Sequence, residues 1–415
     1  MRNWAGNYEY RAARLHEPES MDQVQELVRS VPKLRVLGSR HSFNDLADTT
    51  GDQLSLARMP RVFELDPRAR TVTIDGAVRY GELAGPLDAA GFALHNLASL
   101  PHISVAGACA TSTHGSGDRN GSLATAVSAM EVVTANGEIR GFSRASNRDE
   151  FDGAVVSLGG LGVVTKLTLR LELAFRVRQY VYDDLPLAQV VDHFDEVTSS
   201  AYSVSLLTQW RGQAIDQVWL KHRLTEGETF EAPGTFFGAT MATTPRHPIP
   251  GMSPAACTEQ LGVVGPWHER LPHFRMDHTP SSGAELQSEY QVPRARAVDA
   301  LLAIDALRDR ISPLLWVSEV RTIAADRLWM SPSFGRESVA IHFTWKPDWD
   351  AVRRVLPLIE EALAPFAPRP HWGKLFTVPP DQLGPQYPMR AEFVALVRRL
   401  DPLGKFRNEF LDRYL

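Results

Sequence analysis

Cysteine is scarce in this chain, and long apolar runs are missing from it. The two cysteines, Cys109 and Cys257, lie far apart in the sequence, which excludes a disulfide scaffold and a zinc site built from cysteines alone. The N-terminal segment lacks the apolar stretch of a signal peptide, and no run of about 18 apolar residues predicts a membrane span. We therefore expect a soluble, cytoplasmic protein that has no metal and no membrane partner.

Positive charge is also in short supply. The 415 residues include 44 Lys+Arg against 49 Asp+Glu, with a formal net charge of -5, so the basic surface that binds nucleic acid is not expected. Lysine is rarer than arginine, with six lysines among those 44 residues, which makes a lysine inside a motif notable. The length exceeds what one hydrophobic core usually holds and predicts two domains.

Two common nucleotide-binding motifs are missing as well. The glycines that follow His114 do not fit the G-x-G-x-x-G spacing, and no G-x-x-x-x-G-K-[ST] loop occurs. These absences exclude the nicotinamide-binding Rossmann motif and the P-loop of nucleotide triphosphatases. A nucleotide cofactor would have to be held by loops of another kind.

The hydrophobic pattern changes near residue 175. Before that point, short strand-like runs alternate with glycine turns and a few helices, and Asn136-Gly137 predicts a hairpin with a type I′ turn. From 175 to 370, helical stretches alternate with strand-like runs, which is typical of an α+β domain whose sheet is backed by helices. The segment from Phe230 to Pro272, rich in Gly, Pro and Thr, predicts a long irregular cover over that sheet.

Three segments rich in small residues are the candidates for ligand binding. In the first, a strand-like run enters Gly38 to Ser42, where backbone N–H groups and hydroxyls can surround an anion. The second, from Ser99 to Gly117, has little bulk to fill a core and suits close approach to a large ligand. The third, from Leu158 to Thr165, places glycines just before a strand. Each segment alone also fits an ordinary tight turn.

Together these three segments resemble the FAD-binding domain of the vanillyl-alcohol-oxidase-type flavoproteins, in their sugar and polyol oxidase branch. The run from Gly38 to Phe43 is similar to that family's pyrophosphate loop with its covalent histidine. Asn3 to Asn7 resembles the opening of the branch, and Asp401 to Asn408 resembles its closing segment. Pro266 to Phe274 and His371 to Lys374 are similar to polyol-oxidising members. The order of the motifs is preserved over nearly the whole chain.

The resemblance implies an α+β, two-domain FAD-binding fold of the vanillyl-alcohol-oxidase type. The FAD-binding domain would span residues 1–174 and be completed by 375–415, and a substrate domain of mixed sheet backed by helices would span 175–374. FAD would be attached covalently, as an 8α-histidyl flavin, through His41, since a neutral imidazole is a nucleophile near physiological pH. The residues implied in cofactor binding are Val36, Leu37, Gly38, Ser39, Arg40, His41, Ser42, Ser99, Ser104, Gly107, Ala108, Cys109, Ala110, Thr113, His114, Gly162, Val163 and His371.

A second group of candidate residues lies downstream, in two strand-like runs. Glu319 and Arg321, and likewise His342 and Thr344, are two residues apart, so each pair shares one face of its strand. From the pattern alone, a solvent-facing strand pair with a surface ion pair remains an alternative to a pocket for a hydroxylated substrate. The resemblance favours the pocket and implies the substrate-binding residues Ser99, Glu319, Arg321, His342, Thr344 and Lys374.

The resemblance also implies that Arg321 and Lys374 are catalytic, because two cations beside the flavin favour ionisation of the substrate hydroxyl before hydride transfer. The expected reaction converts a terminal hydroxyl of xylitol, sorbitol or a shorter alditol to the aldose, with oxygen reduced to hydrogen peroxide. The expected partners are therefore a small polyol and molecular oxygen, and the protein is expected to be a monomer. A sugar-1,4-lactone oxidase or dehydrogenase, or a non-catalytic flavin- or carbohydrate-binding protein, stays open as an alternative.

Three histidines at intervals of five residues, His268, His273 and His278, do not predict a metal site. Pro272 interrupts any helix, and the spacing would not place them on one helical face. We interpret them as packing and loop residues.

Overall fold

The computed structural model of the chain describes residues 1–225, 230–278 and 285–415. Within these ranges no helix has both the length and the apolar character needed to cross a membrane. The α-helices, in chain order, are α1 Met21–Ser30, α2 Tyr80–Ala89, α3 Val105–Ala110, α4 Arg148–Ala154, α5 Leu187–Asp192, α6 Phe194–Ser199, α7 Ala297–Asp305, α8 Arg308–Ile311, α9 Trp349–Leu363, α10 Pro380–Leu383, α11 Arg390–Leu400 and α12 Glu409–Tyr414.

The strands of the described residues fall into four sheets. In chain order they are β1 Arg14–His16, β2 Leu34–Val36, β3 Asp52–Leu54, β4 Phe63–Asp66, β5 Thr71–Asp75, β6 Phe92–Ala93, β7 Val127–Val133, β8 Ile139–Ser143, β9 Val163–Arg170, β10 Glu172–Leu173, β11 Arg176–Pro186, β12 Ser203–Thr208, β13 Ala214–Leu224, β14 Thr235–Phe236, β15 Ala239–Met241, β16 Gly265–Pro266, β17 Leu286–Pro293, β18 Leu315–Ile323, β19 Ser338–Trp345 and β20 Arg369–Pro370.

The region before residue 174 contains three of these sheets. The parallel sheet β1-β3-β2 carries the first small-residue loop at the end of β2, and β6 pairs with β10. The third sheet is antiparallel and has the order β4-β5-β9-β7-β8. The alternation read from the sequence is visible in β9, where Leu167 and Leu169 are buried and Arg170 is exposed.

The predicted hairpin at Asn136-Gly137 is present, but the predicted type I′ turn is wrong. The ladder of β7 and β8 ends at the pair Val133 and Ile139. A type I′ turn needs two central residues with positive φ, and here Gly137 has φ of +80° while Asn136 lies outside that region. The Asn136 side chain instead accepts hydrogen bonds from Thr134 Oγ1 at 2.8 Å and from the Glu138 N–H at 3.1 Å. These two bonds stabilise a longer loop.

The fourth sheet is large and has the order β14-β15-β11-β13-β12-β18-β19-β17-β20, with β16 beside β11. All of its pairings are antiparallel, where the sequence predicted a mixed sheet. Neighbours β12 and β18 are joined by more than a hundred residues of chain. Because of this separation, no local pattern could specify the pairing.

Two adjacent rows of side chains run across the neighbouring strands β13, β12, β18, β19 and β17. Because side chains alternate along a strand, the two rows point to opposite faces of the sheet. The apolar row packs in the main core together with buried residues of α7 and α9 and consists of Val218, Leu206, Val320, Ile341 and Tyr290. The next row is mostly polar, lies on the opposite face and consists of Gln217, Leu207, Glu319, His342 and Glu289. The helices therefore cover one face, and the other face is available for a site.

The C-terminal segment packs against the start of the chain. The Asn408 side-chain amide donates to the carbonyl oxygens of Asp45, Leu46 and Asp48 at 2.8–3.0 Å. Arg35 donates from Nη1 to the carbonyl oxygen of Phe406 at 2.7 Å. The proposed domain boundaries at residues 174 and 374 stay a prediction, whereas these contacts show how the ends of the chain are joined.

Candidate active site

A cavity of about 340 Å³ lies between the small-residue loops and the polar face of the large sheet. The predicted site residues that line it are Val36, Leu37, Gly38, Ser39, Arg40, His41, Ser42, Ser99, Ser104, Gly107, Ala108, Ala110, Thr113, His114, Gly162, Glu319, Arg321, His342, Thr344, His371 and Lys374. Elements that are far apart in the chain therefore meet at one cavity.

Two of the predicted cofactor residues, Cys109 and Val163, are not part of the cavity wall. The Cys109 thiol is buried and faces the Tyr80 hydroxyl at 3.8 Å. Val163 is buried in a separate apolar cluster with Val24 and Leu54. Position within a motif suggested both residues, but their side chains pack into the protein interior.

Gly38 allows the first loop to approach Ser104 of the second, and Gly107 leaves room for the same Ser104 side chain within the second loop. A Cβ atom on either residue would lie 2.7 Å from Ser104 Oγ, which is closer than nonbonded atoms approach. The Ser104 N–H donates to Ser39 Oγ at 3.0 Å and fastens the two loops together. Arg40 has φ of +64°, in the left-handed region that most side chains avoid. The result is a continuous wall of backbone with little side-chain bulk, which suits close approach to a large cofactor such as FAD.

His41 lies in this wall, and its ring stacks on that of Trp4 with 5.0 Å between centroids. Nδ1 is 2.9 Å from the carbonyl oxygen of Ser39, and the buried Nε2 has no hydrogen-bond partner among the described residues. Burial lowers the pKa of His41 to about 4, so the imidazole is uncharged at neutral pH. Donation from Nδ1–H to Ser39 leaves the electron pair of Nε2 unshared. An orphaned buried nitrogen of this kind fits a site that a cofactor completes.

Glu289, His342 and Glu319 form a row across β17, β19 and β18. In the strand register His342 is paired with Glu289 on one side and with Glu319 on the other, so all three side chains point to the same face. Each of the three is buried, with at most 6% of its surface exposed. This burial excludes the alternative of a solvent-facing strand pair. Glu289 was missed by the sequence reasoning.

The Glu289 carboxylate is surrounded by nitrogen donors. Oε2 accepts hydrogen bonds from Lys374 Nζ at 2.6 Å and from Arg321 Nη2 at 3.3 Å. His342 Nδ1 is 3.4 Å from the same oxygen, and His114 Nε2 is 2.6 Å from Oε1. One carboxylate therefore holds the two cations that the sequence singled out, Arg321 and Lys374, close to each other.

The ionisation of these groups follows from burial and mutual attraction. Burial alone would raise the pKa of Glu289, but the charge of Lys374 and the contact with His114 hold it well below its usual range. Burial lowers the pKa of Lys374, and the Glu289 charge opposes that change. Burial also lowers the pKa of His342 to about 4. The row therefore combines an ionised carboxylate with a neutral imidazole.

Arg321 has one donor that the surrounding residues do not use. Its Nη1 donates to Ser99 Oγ at 3.3 Å, whereas its buried Nε lies 3.6 Å from Glu319 Oε2 and has no hydrogen-bond partner in the described part of the chain. Thr344 Oγ1 lies 3.0 Å from His342 Nε2. The cavity therefore offers a hydroxyl-bearing ligand both donors and acceptors.

His273 was interpreted as a packing and loop residue, and it does lie in a loop, buried against Trp219 with 4.9 Å between ring centroids, but it is also part of the site. It lines the cavity, and its Nε2 lies 2.7 Å from Glu319 Oε1. Behind it, the buried Lys221 places Nζ 3.3 Å from His273 Nδ1. The other two histidines fit the prediction, since His268 is half-buried beside Asp88 and His278 is exposed. The motif from Pro266 to Phe274 contained the signal for His273, but the spacing of the histidines alone did not reveal it.

The irregular segment predicted from Phe230 to Pro272 contributes to the outer end of the cavity. His247, Pro248 and Ile249 from this segment line the cavity beside Leu207 and Val317. The end of the cavity that lies beyond Glu319 is therefore more apolar than the end that holds Lys374.

Family models match both ends of the chain. Residues 12–143 match the model described as FAD binding domain. Residues 282–414 match the model described as D-arabinono-1,4-lactone oxidase. The first match contains the loops with His41 and Ser104, and the second contains β17, β18, β19 and Lys374, so the two matches meet at the cavity.

Whole-chain comparisons give the same result. The chain is 51% identical to alditol oxidase of Streptomyces sp., over 99% of this chain and 97% of that protein. It is 28% identical to L-gulono-1,4-lactone dehydrogenase of Mycobacterium tuberculosis, over 100% and 98% of the two chains. Among solved structures, cholesterol oxidase from B. sterolicum superimposes with a TM-score of 0.78 at 14% identity, over 100% of this chain and 96% of that one. This likeness confirms the vanillyl-alcohol-oxidase-type fold implied by the sequence. The chain is an FAD-dependent oxidoreductase and belongs to the oxidase family that includes alditol oxidase.

Proposed function

We propose that this enzyme oxidises a terminal hydroxyl of a small polyol, such as xylitol, sorbitol or a shorter alditol, to the aldose and reduces oxygen to hydrogen peroxide. The observation that carries the proposal is the pair of cations, the buried Arg321 and the largely buried Lys374, held by Glu289 in the same cavity whose wall contains His41. The 51% identity to alditol oxidase over nearly the whole chain supports the same substrate class.

FAD would be held by the loops from Val36 to Ser42 and from Ser99 to His114, with a covalent 8α-histidyl bond to His41. The neutral imidazole with an unshared ring nitrogen supports this linkage, because the attacking group in such a bond must be an unprotonated nitrogen. FAD, when bound, supplies the acceptor for the hydride from the alcohol carbon and passes the electrons to oxygen. Ser39, Ser42 and the adjoining backbone N–H groups would hold its phosphates.

Arg321 and Lys374 would act on the reacting hydroxyl. Two positive charges beside a hydroxyl group would stabilise the negative charge that develops on its oxygen as a hydride leaves the same carbon. The hydroxyl proton would pass to an unprotonated group of the cavity, such as the neutral His342 imidazole, or to water. The Arg321 guanidinium and the Lys374 ammonium both line the cavity and are the cations available for that oxygen. The neighbouring Glu289 fixes both cations in place before the substrate enters, so little reorganisation is required during the reaction.

The remaining polar groups would bind the other hydroxyls of the polyol. Glu319 is an ionised acceptor, because burial raises its pKa but the charge of Arg321 and the hydrogen bond from His273 hold it well below its usual range. Ser99, His342 and Thr344 each present a side chain that can donate or accept. A chain of hydroxyls along this row would find partners for both its donors and its acceptors.

A second candidate is a sugar-1,4-lactone oxidase or dehydrogenase. It is favoured by the match of residues 282–414 to the D-arabinono-1,4-lactone oxidase model and by the lactone dehydrogenase relative at 28% identity. A non-catalytic flavin- or carbohydrate-binding protein is less consistent with the cavity. Binding of a neutral polyol does not require two buried cations, which are costly to desolvate.

We expect the purified yellow protein to release hydrogen peroxide promptly when it is mixed with xylitol in air-saturated buffer, and to turn over L-gulono-1,4-lactone much more slowly at the same concentration. A coupled peroxidase assay measures both rates. Peroxide from the lactone but not from xylitol would favour the second candidate. Faster reduction of an artificial acceptor than of oxygen would identify a dehydrogenase.

We expect His41→Ala to abolish covalent attachment, because no ring nitrogen then remains to bond the flavin. Acid precipitation should leave the flavin in the pellet with the wild-type protein and release it to the supernatant with the variant. His278→Ala, which changes an exposed loop histidine, serves as the control and should keep its flavin in the pellet. Yellow pellets from His41→Ala would show that the linkage lies elsewhere.

We expect Arg321→Ala and Lys374→Met each to lower the rate constant of flavin reduction by xylitol by about 10²–10³, the usual effect of removing one group that stabilises developing negative charge. Stopped-flow absorbance of the flavin measures this rate. The matched control is Lys346→Met, since Lys346 contacts Trp316 and the Pro313 carbonyl outside the cavity. Rates within threefold of wild type for either cavity variant would remove that residue from the mechanism.

Glu289→Gln should move the alkaline limit of activity to lower pH. Glu289 raises the pKa of Lys374 against the effect of burial, so removing its charge lowers that pKa and Lys374 loses its proton at lower pH. The measurement is the pH dependence of the flavin reduction rate. Glu26→Gln, which alters an exposed helix residue, is the control. An unchanged alkaline limb in Glu289→Gln would show that Glu289 does not set the charge of Lys374.

A further inference from the structure

Lys221 is a buried charge that the mechanism above does not use. It lies on β13, two strands away from β18, and 1% of its surface is exposed. Its Nζ donates to the carbonyl oxygens of Leu271 at 2.6 Å and Pro272 at 3.0 Å and faces His273 Nδ1 at 3.3 Å. Three acceptors match the three protons of an ammonium group. A buried ammonium is costly unless its hydrogen bonds are satisfied, so this arrangement requires an explanation.

The three groups Lys221, His273 and Glu319 form a line of hydrogen bonds that ends in the cavity. His273 Nε2 lies 2.7 Å from Glu319 Oε1. Because an ammonium group can only donate, His273 Nδ1 accepts from Lys221, and the proton of the neutral ring lies on Nε2. That N–H then donates to Glu319. Burial, opposed by Glu319 and assisted by Lys221, lowers the pKa of His273 to about 4, which is consistent with a neutral ring.

We infer that Lys221 and His273 are positioning residues that fix the Glu319 carboxylate as an oriented, ionised acceptor for one substrate hydroxyl. By donating to Nδ1, Lys221 holds the proton of the neutral ring on Nε2, so His273 acts as a donor and not as a counter-cation. One oxygen of Glu319 is then occupied by His273, and the other remains beside the cavity, 3.6 Å from Arg321 Nε. This inference rests on the proposed function, since it assigns the hydroxyl-binding role of Glu319 to a specific support.

The segment that carries His273 is held from several sides. Thr258 Oγ1 donates to the Pro272 carbonyl oxygen at 2.7 Å. The backbone N–H groups of His273 and Phe274 donate to the Ser99 carbonyl oxygen at 3.1 and 3.2 Å. A displacement of this segment would therefore disturb both Glu319 and Ser99. The hydrogen bonds from Lys221 to the Leu271 and Pro272 carbonyl oxygens oppose such a displacement.

Lys221 and His273 lie among several other charged and titratable groups. Besides its contact with His273, Lys221 is influenced by Glu319 and Arg321 of β18 and by Cys257 and Arg270 of the irregular segment. Burial lowers the pKa of Lys221 to about 7, so the ammonium form is present in slightly acidic buffer. Tests of its charge are therefore best carried out near pH 6.

The kinetic test separates binding from the hydride-transfer step in the flavin-loaded enzyme. In Lys221→Met and His273→Leu, we expect the xylitol concentration for half-maximal flavin reduction to rise at least tenfold, while the limiting rate constant stays within threefold of wild type. His273→Gln, whose amide can still donate to Glu319, should recover most of the loss. Lys405→Met is the control for removing a buried lysine, because Lys405 donates to the Val28 carbonyl outside the cavity.

Two outcomes would overturn the inference. Equal losses in His273→Gln and His273→Leu would indicate a packing role, as would a fall in the limiting rate with no change in the half-maximal concentration. A test that needs no substrate is ¹⁵N NMR of histidine-labelled holoenzyme near pH 6. We expect the signal that is lost in His273→Gln to show a proton on Nε2 alone in the wild type, and we expect its Nδ1 resonance to shift in Lys221→Met, because Nδ1 then no longer accepts from an ammonium group.

The NMR result also distinguishes this inference from the proposed function. If the wild-type enzyme does not reduce its flavin with xylitol, the proposed substrate is wrong, while the protonation state of His273 still tests the role of Lys221. A proton on Nδ1 of His273 in the wild type, or an identical ring in Lys221→Met, would contradict the positioning role whatever the substrate is.

Discussion

The carboxylate of Glu289 determines how the two cations of the cavity, Lys374 and Arg321, are placed. It has no exposed surface, and an ionised carboxylate without partners in such a place would be strongly destabilising. Lys374 and Arg321 stabilise it, and they are themselves buried groups that need a counter-charge. The three groups form one unit, in which the loss of any member leaves an uncompensated charge. The position of Glu289 on β17, next to β19, places that unit in the same cavity as the loops that carry His41, and the rest of the site is arranged around it.

The sequence predicted those parts of the site that depend on local periodicity. The spacing of Glu319 and Arg321, and of His342 and Thr344, placed each pair on one strand face, and the structure has both pairs on the cavity side. The small residues near Gly38 and Gly107 predicted a bare wall, and both glycines do line the cavity, each in close approach to Ser104. The paired residues could be predicted from their spacing of two along a strand. The glycines could be predicted from motifs that resemble a known family.

The missed residues depend on strand order, which local periodicity cannot supply. Glu289 contacts His342 because β17 and β19 are neighbours, and Lys221 reaches Glu319 through His273 because β13, β12 and β18 follow one another in the sheet. In sequence, Lys221 is followed by His222 and Arg223, and nothing near it indicates a link to His273 or Glu319. The prediction of a type I′ turn was wrong for a similar reason on a smaller scale. The Asn136 side chain accepts hydrogen bonds from Thr134 and Glu138, and the Asn-Gly dipeptide alone does not specify these contacts.

The two carboxylates of the cavity have different partners, and this difference separates their tasks. Both oxygens of Glu289 are occupied by cations or imidazole nitrogens, so Glu289 is an internal counter-charge with no free oxygen for a ligand. Glu319 is bonded to His273 through one oxygen, and its other oxygen faces an arginine nitrogen that lacks a hydrogen bond. With two carboxylates and two cations in the ionised state, the cavity is close to neutral before a substrate enters. A hydroxyl that loses its proton there adds one negative charge beside donors that are already oriented toward it. The stabilisation therefore increases as the reaction proceeds, which is the condition under which binding groups accelerate a reaction.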